Sequence, residues 1–272
     1  MGNLFLVLAL LSSLSIVFLL KIYEKKGYDR YVIIASNYLI SGSIGFIFLE
    51  KNEFPKTDVL IFGIIIGFLF FISFSIFSMS LKKKGIAPTV TFGRLSLAIP
   101  VFFSILLWGE SPSEFNIISL ILIFTIILIW EKRARNISPI LLILFLLFGF
   151  IDASMKYFKI RFPEVDNNIF LIVLFYSALL WGWAYIIFSK RKVRKITFFN
   201  GLALGIPNFF SSYFVLLALS CGIPAYVTFP FINIGIIILS ALLGKIFFKE
   251  ALSFKQTVLI LLGTVAIVLL SL

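Results

Sequence analysis

Long apolar runs, each closed by a charged or turn-forming segment, follow one another along the whole chain. They fall at roughly 3–21, 31–49, 58–81, 86–108, 115–130, 139–158, 168–188, 198–220, 223–247 and 255–271. A helix needs about 20 mostly apolar residues to cross a bilayer. The pattern therefore predicts an all-α integral membrane protein of about ten transmembrane helices joined by short loops. Pro88, Pro139 and Pro224 stand where predicted helices begin, a position that tolerates the missing N–H. Pro100, Pro207 and Pro230 fall inside the fourth, eighth and ninth runs, where an interior proline predicts a kink.

The chain also resembles itself at a spacing of about 138 residues. Lys21-Ile22 corresponds to Lys159-Ile160, Tyr38 to Tyr176, and Gly63 and Gly67 to Gly201 and Gly205. Phe70-Phe71-x-Ser73 answers to Phe209-Phe210-x-Ser212, and Gly85-Ile86 with Val90-Thr91-Phe92 to Gly222-Ile223 with Val227-Thr228-Phe229. Glu110-x-x-Ser113 matches Glu250-x-x-Ser253. Matches that keep their order and drift by so little predict two five-helix repeats, 1–135 and 136–272. An odd number of crossings makes the second repeat enter the membrane inverted and leaves both termini on one side. Inverted repeats around a midplane site are a transporter architecture.

Composition narrows this further. Of 272 residues, 61% are hydrophobic and 13% charged, with a mean hydropathy of +1.13. Soluble domains carry roughly 25% charged residues, so no separate soluble domain is expected. The net charge of +12 sits in small clusters between apolar runs, as in cytoplasmic loops of membrane proteins, and predicts no nucleic-acid binding. The clusters concentrate after the first, third, fifth, seventh and ninth runs, which predicts cytoplasmic odd-numbered loops and external termini. The first run lacks a basic leading segment and exceeds a signal peptide's apolar core, and Leu6 stands where a myristoylation motif wants Ser or Thr. With no His and the single Cys221, an internal disulfide, a thiol or imidazole metal site and His-dependent catalysis are excluded.

At the residue level the two halves share a pattern: a short break with Gly-Ile, a span, a Glu-containing turn, and a final span. The turns read Gly109-Glu110-Ser111-Pro112-Ser113 and Lys249-Glu250-Ala251-Leu252-Ser253. The last span runs from Gln256 through Leu261-Leu262-Gly263-Thr264-Val265-Ala266-Ile267. In this combination the chain resembles the EamA family of the drug/metabolite transporter superfamily over nearly its whole length. The resemblance implies a bundle of two inverted five-helix repeats that carries amino acids, metabolites or drugs. Where members carry a Trp-Gly pair in the first helix, this chain has Ser12-Ser13. The resemblance also implies cytoplasmic termini, the reverse of what the basic loops predict.

Ionisable groups at bilayer depth are costly and mark functional sites. Arg94 lies inside the fourth run and suits bidentate contact with a carboxylate or phosphate; the alternatives are a structural ion pair or a snorkelling side chain. Asp152 is the acid well inside a run. It is read as a proton-coupling carboxylate, as the neutralising partner of Arg94, or as a local pair with Lys156 one turn on. Asn233 falls close to the second-half counterpart of Arg94 and is a candidate substrate hydrogen-bonder. Asn37 and Tyr38 in the second run, with Asn208, Ser212 and Tyr213 in the eighth, are candidates to line the same cavity or to bond neighbouring helices. Gly63-x-x-x-Gly67 and Gly201-x-x-x-Gly205 predict close helix packing.

These readings predict a secondary transporter, an exporter of small solutes working by alternating access in the cell (inner) membrane, with no cofactor and no metal, as a monomer or homodimer. A flippase for a lipid-linked intermediate shares the architecture. An intramembrane enzyme would need a nucleophile with a base, a metal or a second intramembrane Asp, and the chain offers none of these.

Overall fold

The computed structural model describes residues 1–49, 54–84, 86–130, 138–249 and 253–270. Among them the chain forms eleven helices and no strand: α1 (Gly2–Lys25), α2 (Arg30–Ile47), α3 (Thr57–Lys84), α4 (Ile86–Leu95), α5 (Ala98–Leu106), α6 (Glu114–Trp130), α7 (Pro139–Arg161), α8 (Asn167–Phe188), α9 (Lys195–Ser220), α10 (Ala225–Phe248) and α11 (Phe254–Leu270). Six helices, α1, α3 and α7 to α10, are long and apolar enough to cross a membrane. The protein is an all-helical, membrane-embedded chain.

Each predicted run coincides with one helix except the fourth, which divides into α4 and α5. Pro100 has no N–H for the Ser96 carbonyl, which takes the Ile99 N–H at 3.0 Å instead. The ladder breaks at Ser96-Leu97, and Ser96 Oγ bonds back to the Gly93 carbonyl at 2.7 Å. Pro207 and Pro230 sit inside helices that remain continuous.

Helix starts in the two halves are built alike. Asp29 accepts the Tyr31 and Val32 N–H groups at the start of α2, and Asp166 accepts the Asn168 N–H at the start of α8. Before α6, Ser113 Oγ accepts from Asn116 N while Asn116 Oδ1 accepts from Ser113 N. Before α11, Ser253 and Gln256 make the same reciprocal pair. Each satisfies N–H groups that a helix start leaves open. Glu250, the expected counterpart of Glu110, lies outside the described residues.

The two small-residue spacings bring helices into backbone contact. A Cβ on Gly205 of α9 would stand 2.4 Å from the Asn37 carbonyl oxygen of α2, and one on Gly67 of α3 2.3 Å from the Leu174 carbonyl of α8. Along both crossings the partners advance together, Gly201 by Ile33 then Gly205 by Asn37, and Gly63 by Val173 then Gly67 by Ser177, so α2/α9 and α3/α8 run parallel. In contrast α2 and α8 run antiparallel, with Tyr31 by Tyr185 and Phe48 by Asn168. So do α6 and α11, with Asn116 donating to the Leu270 carbonyl and Lys255 to that of Ile129. Outside them, α1 lies antiparallel on α9 through Phe5–Phe214 and Ser13–Ser211, as α7 does on α3 through Tyr157–Phe62 and Phe148–Phe77.

The helices accordingly have two ends. At the basic end, Arg191 of the α8–α9 connection bonds Asp29 at 2.7 Å and stacks 4.2 Å over the Tyr31 ring. At the other, here the Glu110 end, Gly2 abuts Cys221 and Ile223 and Leu270 meets Asn116. Both ends of the described chain fall there.

Candidate functional site

A cavity of about 780 Å³ occupies the middle of the bundle and is lined from α1, α2, α3, α4, α6, α7, α9, α10 and α11. Its walls are mainly apolar, with Phe70, Phe74, Phe77, Phe148 and Phe229 among them. Into this setting project Arg94, Asp152 and Asn233, together with Asn208 and Ser212. The fourth-run break explains the placement of Arg94. It occupies the last turn of α4, where unpaired carbonyls favour a cation, just before the chain turns at Ser96.

Asn233 aims the guanidinium. Its Nδ2 donates to the Phe229 carbonyl of its own helix at 3.0 Å, which turns Oδ1 outward to accept from Arg94 Nη1 at 2.9 Å. Asp152 lies near enough for its charge to act on Arg94, yet no direct ion pair joins them among the described residues. An arginine has five N–H donors and Asn233 takes one, so the fork remains available to a ligand oxygen. The centre of the cavity thus offers one guanidinium and one carboxyl group, held apart, in a mainly apolar chamber.

The remaining sequence candidates lie elsewhere. Asn37 sits behind the wall, accepting from Asn208 Nδ2 at 2.7 Å and donating to the Ile34 carbonyl, so it orients a lining residue without lining. Tyr38 is fully buried between Phe70 and Phe175. Tyr213 stacks with Phe209 at 5.4 Å and meets Phe48, in an aromatic group toward the Glu110 end. Lys156 does not pair with Asp152; its ammonium meets Glu110 at 2.5 Å.

Sequence reasoning missed several lining groups. Ser13 shares a 2.8 Å hydrogen bond with Ser211, and both face the cavity; the Ser12-Ser13 departure was the available signal. The mouth also went unread. Lys21, Glu24, Arg30 and Gln256 line it, with Arg30 bonded to Glu24 at 2.9 Å, so the cavity opens toward the basic end. Among the described residues, the connections at the Glu110 end contribute none to the lining. There Glu110 accepts hydrogen bonds from Ser104 Oγ and from the Ala225 N–H that begins α10, and Tyr226 Oη donates to the Ser111 carbonyl at 3.3 Å.

The fold and cavity define a membrane-embedded helical protein with an internal polar site open to one end. No family model matches the chain. It is 27% identical over 266 residues to an uncharacterized protein of Haemophilus influenzae, across 91% of this chain and 90% of that one. A protein crystal structure superposes with a TM-score of 0.76 at 16% identity, covering 97% of this chain and 98% of its own. That likeness shows a shared fold.

Proposed function

We propose that the chain is a secondary transporter that carries small solutes bearing a carboxylate or similar anionic group across the cell membrane by alternating access. The observation that carries the reading is the Arg94 guanidinium, aimed by Asn233 into a central cavity of about 780 Å³. That volume lies within the range of small-molecule sites, roughly 300–1,000 Å³. Asp152 supplies the counter-charge that keeps an empty Arg94 tolerable at this depth.

The packing supports two inverted five-helix repeats. Count α4 and α5 as one span, and exchange each first-half span for its second-half counterpart. The α2/α9 crossing then becomes α8/α3, and α1 on α9 becomes α7 on α3. The counterparts α2/α8 and α6/α11 pack antiparallel on one another. Two halves with the same packing in opposite directions can exchange conformations, which moves the opening from one end to the other. The broken fourth span at the site is a further feature of such transporters. Basic loops favour the cytoplasm, so in this state the cavity faces inward, ready to load an exported solute.

The test is counterflow in proteoliposomes with a panel of small carboxylates and zwitterions, comparing native protein, Arg94→Lys and Arg94→Ala. The reading expects flux of at least one solute, reduced by Arg94→Lys and abolished by Arg94→Ala. Undiminished flux of every carried solute in Arg94→Ala would remove the role assigned to the guanidinium.

A further inference from the structure

Lys156 stands between two carboxylates. Its ammonium contacts Glu110, and both side chains are nearly buried, at 13% and 14% exposure. Glu110 is itself fixed by Ser104 Oγ of α5 and by the Ala225 N–H of α10. The cluster thus ties α5, α7 and α10 together at the closed end, away from the mouth formed by Lys21, Glu24, Arg30 and Gln256. One turn back on α7 is Asp152, at the spacing that brings helical side chains together. Asp152 faces the cavity and has no hydrogen bond or ion pair among the described residues.

For the solute to leave at the Glu110 end, α7 must part from α5 and α10, and Lys156 then loses its acceptor. A buried cation stripped of its partner is strongly unfavourable. Asp152 is the acid that the helical spacing places within its reach.

We propose that Lys156 is a two-position switch, paired with Glu110 while that end is closed and with Asp152 when it opens. The open-end half of this proposal rests on the alternating-access reading. The switch also changes the site. With Lys156 on Glu110, the charges of Arg94 and Asp152 cancel. With Lys156 on Asp152, the group of three carries a net positive charge, and any cationic group or proton that Asp152 had held is displaced. Opening of the far end is thereby coupled to what Asp152 binds.

The experiment measures distances between spin labels at Glu114→Cys and Glu164→Cys, two exposed positions at the Glu110 end, in a Cys221→Ser background in lipid nanodiscs without solute. Glu110→Gln is expected to raise the long-distance population roughly tenfold, the loss of one charged hydrogen-bond partner. Adding Asp152→Asn is expected to reverse most of that rise, because Lys156 then has nowhere to go. A Glu110→Gln distribution identical to native, or one that Asp152→Asn leaves untouched, overturns the switch. If Glu110→Gln does not fold, Lys156→Met serves: Asp152→Asn must then shift the distribution less than it does with Lys156 present, and an equal shift in both backgrounds overturns the proposal. None of these readouts depends on transport. Undiminished counterflow in Arg94→Ala would leave the switch standing, and failure here would leave the Arg94 reading intact.

Discussion

Replacing Gly205 with Ala tests the contact that joins the two halves of the chain. A Cβ at this position would lie 2.4 Å from the Asn37 carbonyl oxygen and 2.8 Å from Ile40 Cβ. The first neighbour is backbone, so α2 and α9 must separate to admit it. Inserting a methyl into a packed core costs about 1–3 kcal/mol, against about 1 kcal/mol regained from the helix preference for Ala over Gly. Gly93→Ala is the natural comparison, because its nearest neighbour is the edge of the movable Phe148 ring at 3.3 Å. Both variants collect the propensity gain, and their difference isolates the clash. At about 2–4 °C per kcal/mol for a chain approaching this size, Gly205→Ala should unfold roughly 2–12 °C below Gly93→Ala. Thermal unfolding in detergent, followed by the fluorescence of the four tryptophans, reads the difference. Equal midpoints, or a more stable Gly205→Ala, would refute the backbone contact at the α2/α9 crossing.

Other outcomes follow from named contacts. Asn233→Leu keeps the volume of the wall but removes the acceptor that aims Arg94. The apparent KM for a carried anionic solute should rise about tenfold or more, the worth of a hydrogen bond to a charged group, and an unchanged KM would count against the aiming role. Ser113→Ala and Ser253→Ala each remove one side of a helix-start pair and should each cost about 0.5–2 kcal/mol. Thermal unfolding checks this, and a clear effect at one position with none at the other would contradict their equivalence. Asp29→Asn should loosen the α8–α9 connection by weakening its tie to Arg191, read as faster proteolysis after the exposed Lys190 and Lys192; native-like resistance would refute it.

Much of this arrangement was legible in the sequence because membrane helices announce themselves by length and hydropathy. The run boundaries lie close to the helix ends, and Pro100 marked the span that divides. Arg94, Asp152 and Asn233 stood out too, since polar groups are conspicuous against apolar sequence, and the structure brings all three to one cavity. Which way a polar group faces was harder to read. In helices that are apolar on every side, periodicity does not distinguish a cavity face from a packing face. Tyr38 and Asn208 were therefore equal candidates, yet one is buried among aromatic rings and the other lines the chamber. Lys156 shows a second limit. Sequence offers the partner one turn away, whereas the fold supplies Glu110 from a distant loop.

Alternating access requires that one cavity be reached from both sides of the membrane in turn. Ser211→Cys in a Cys221→Ser background places a thiol on the cavity wall. Its reaction with a membrane-impermeant thiol reagent can be timed in sealed vesicles of each orientation. Alternating access predicts modification from both sides, faster from the basic end where the cavity now opens. Modification from the basic end alone, with none from the Glu110 end even on prolonged exposure, would contradict it.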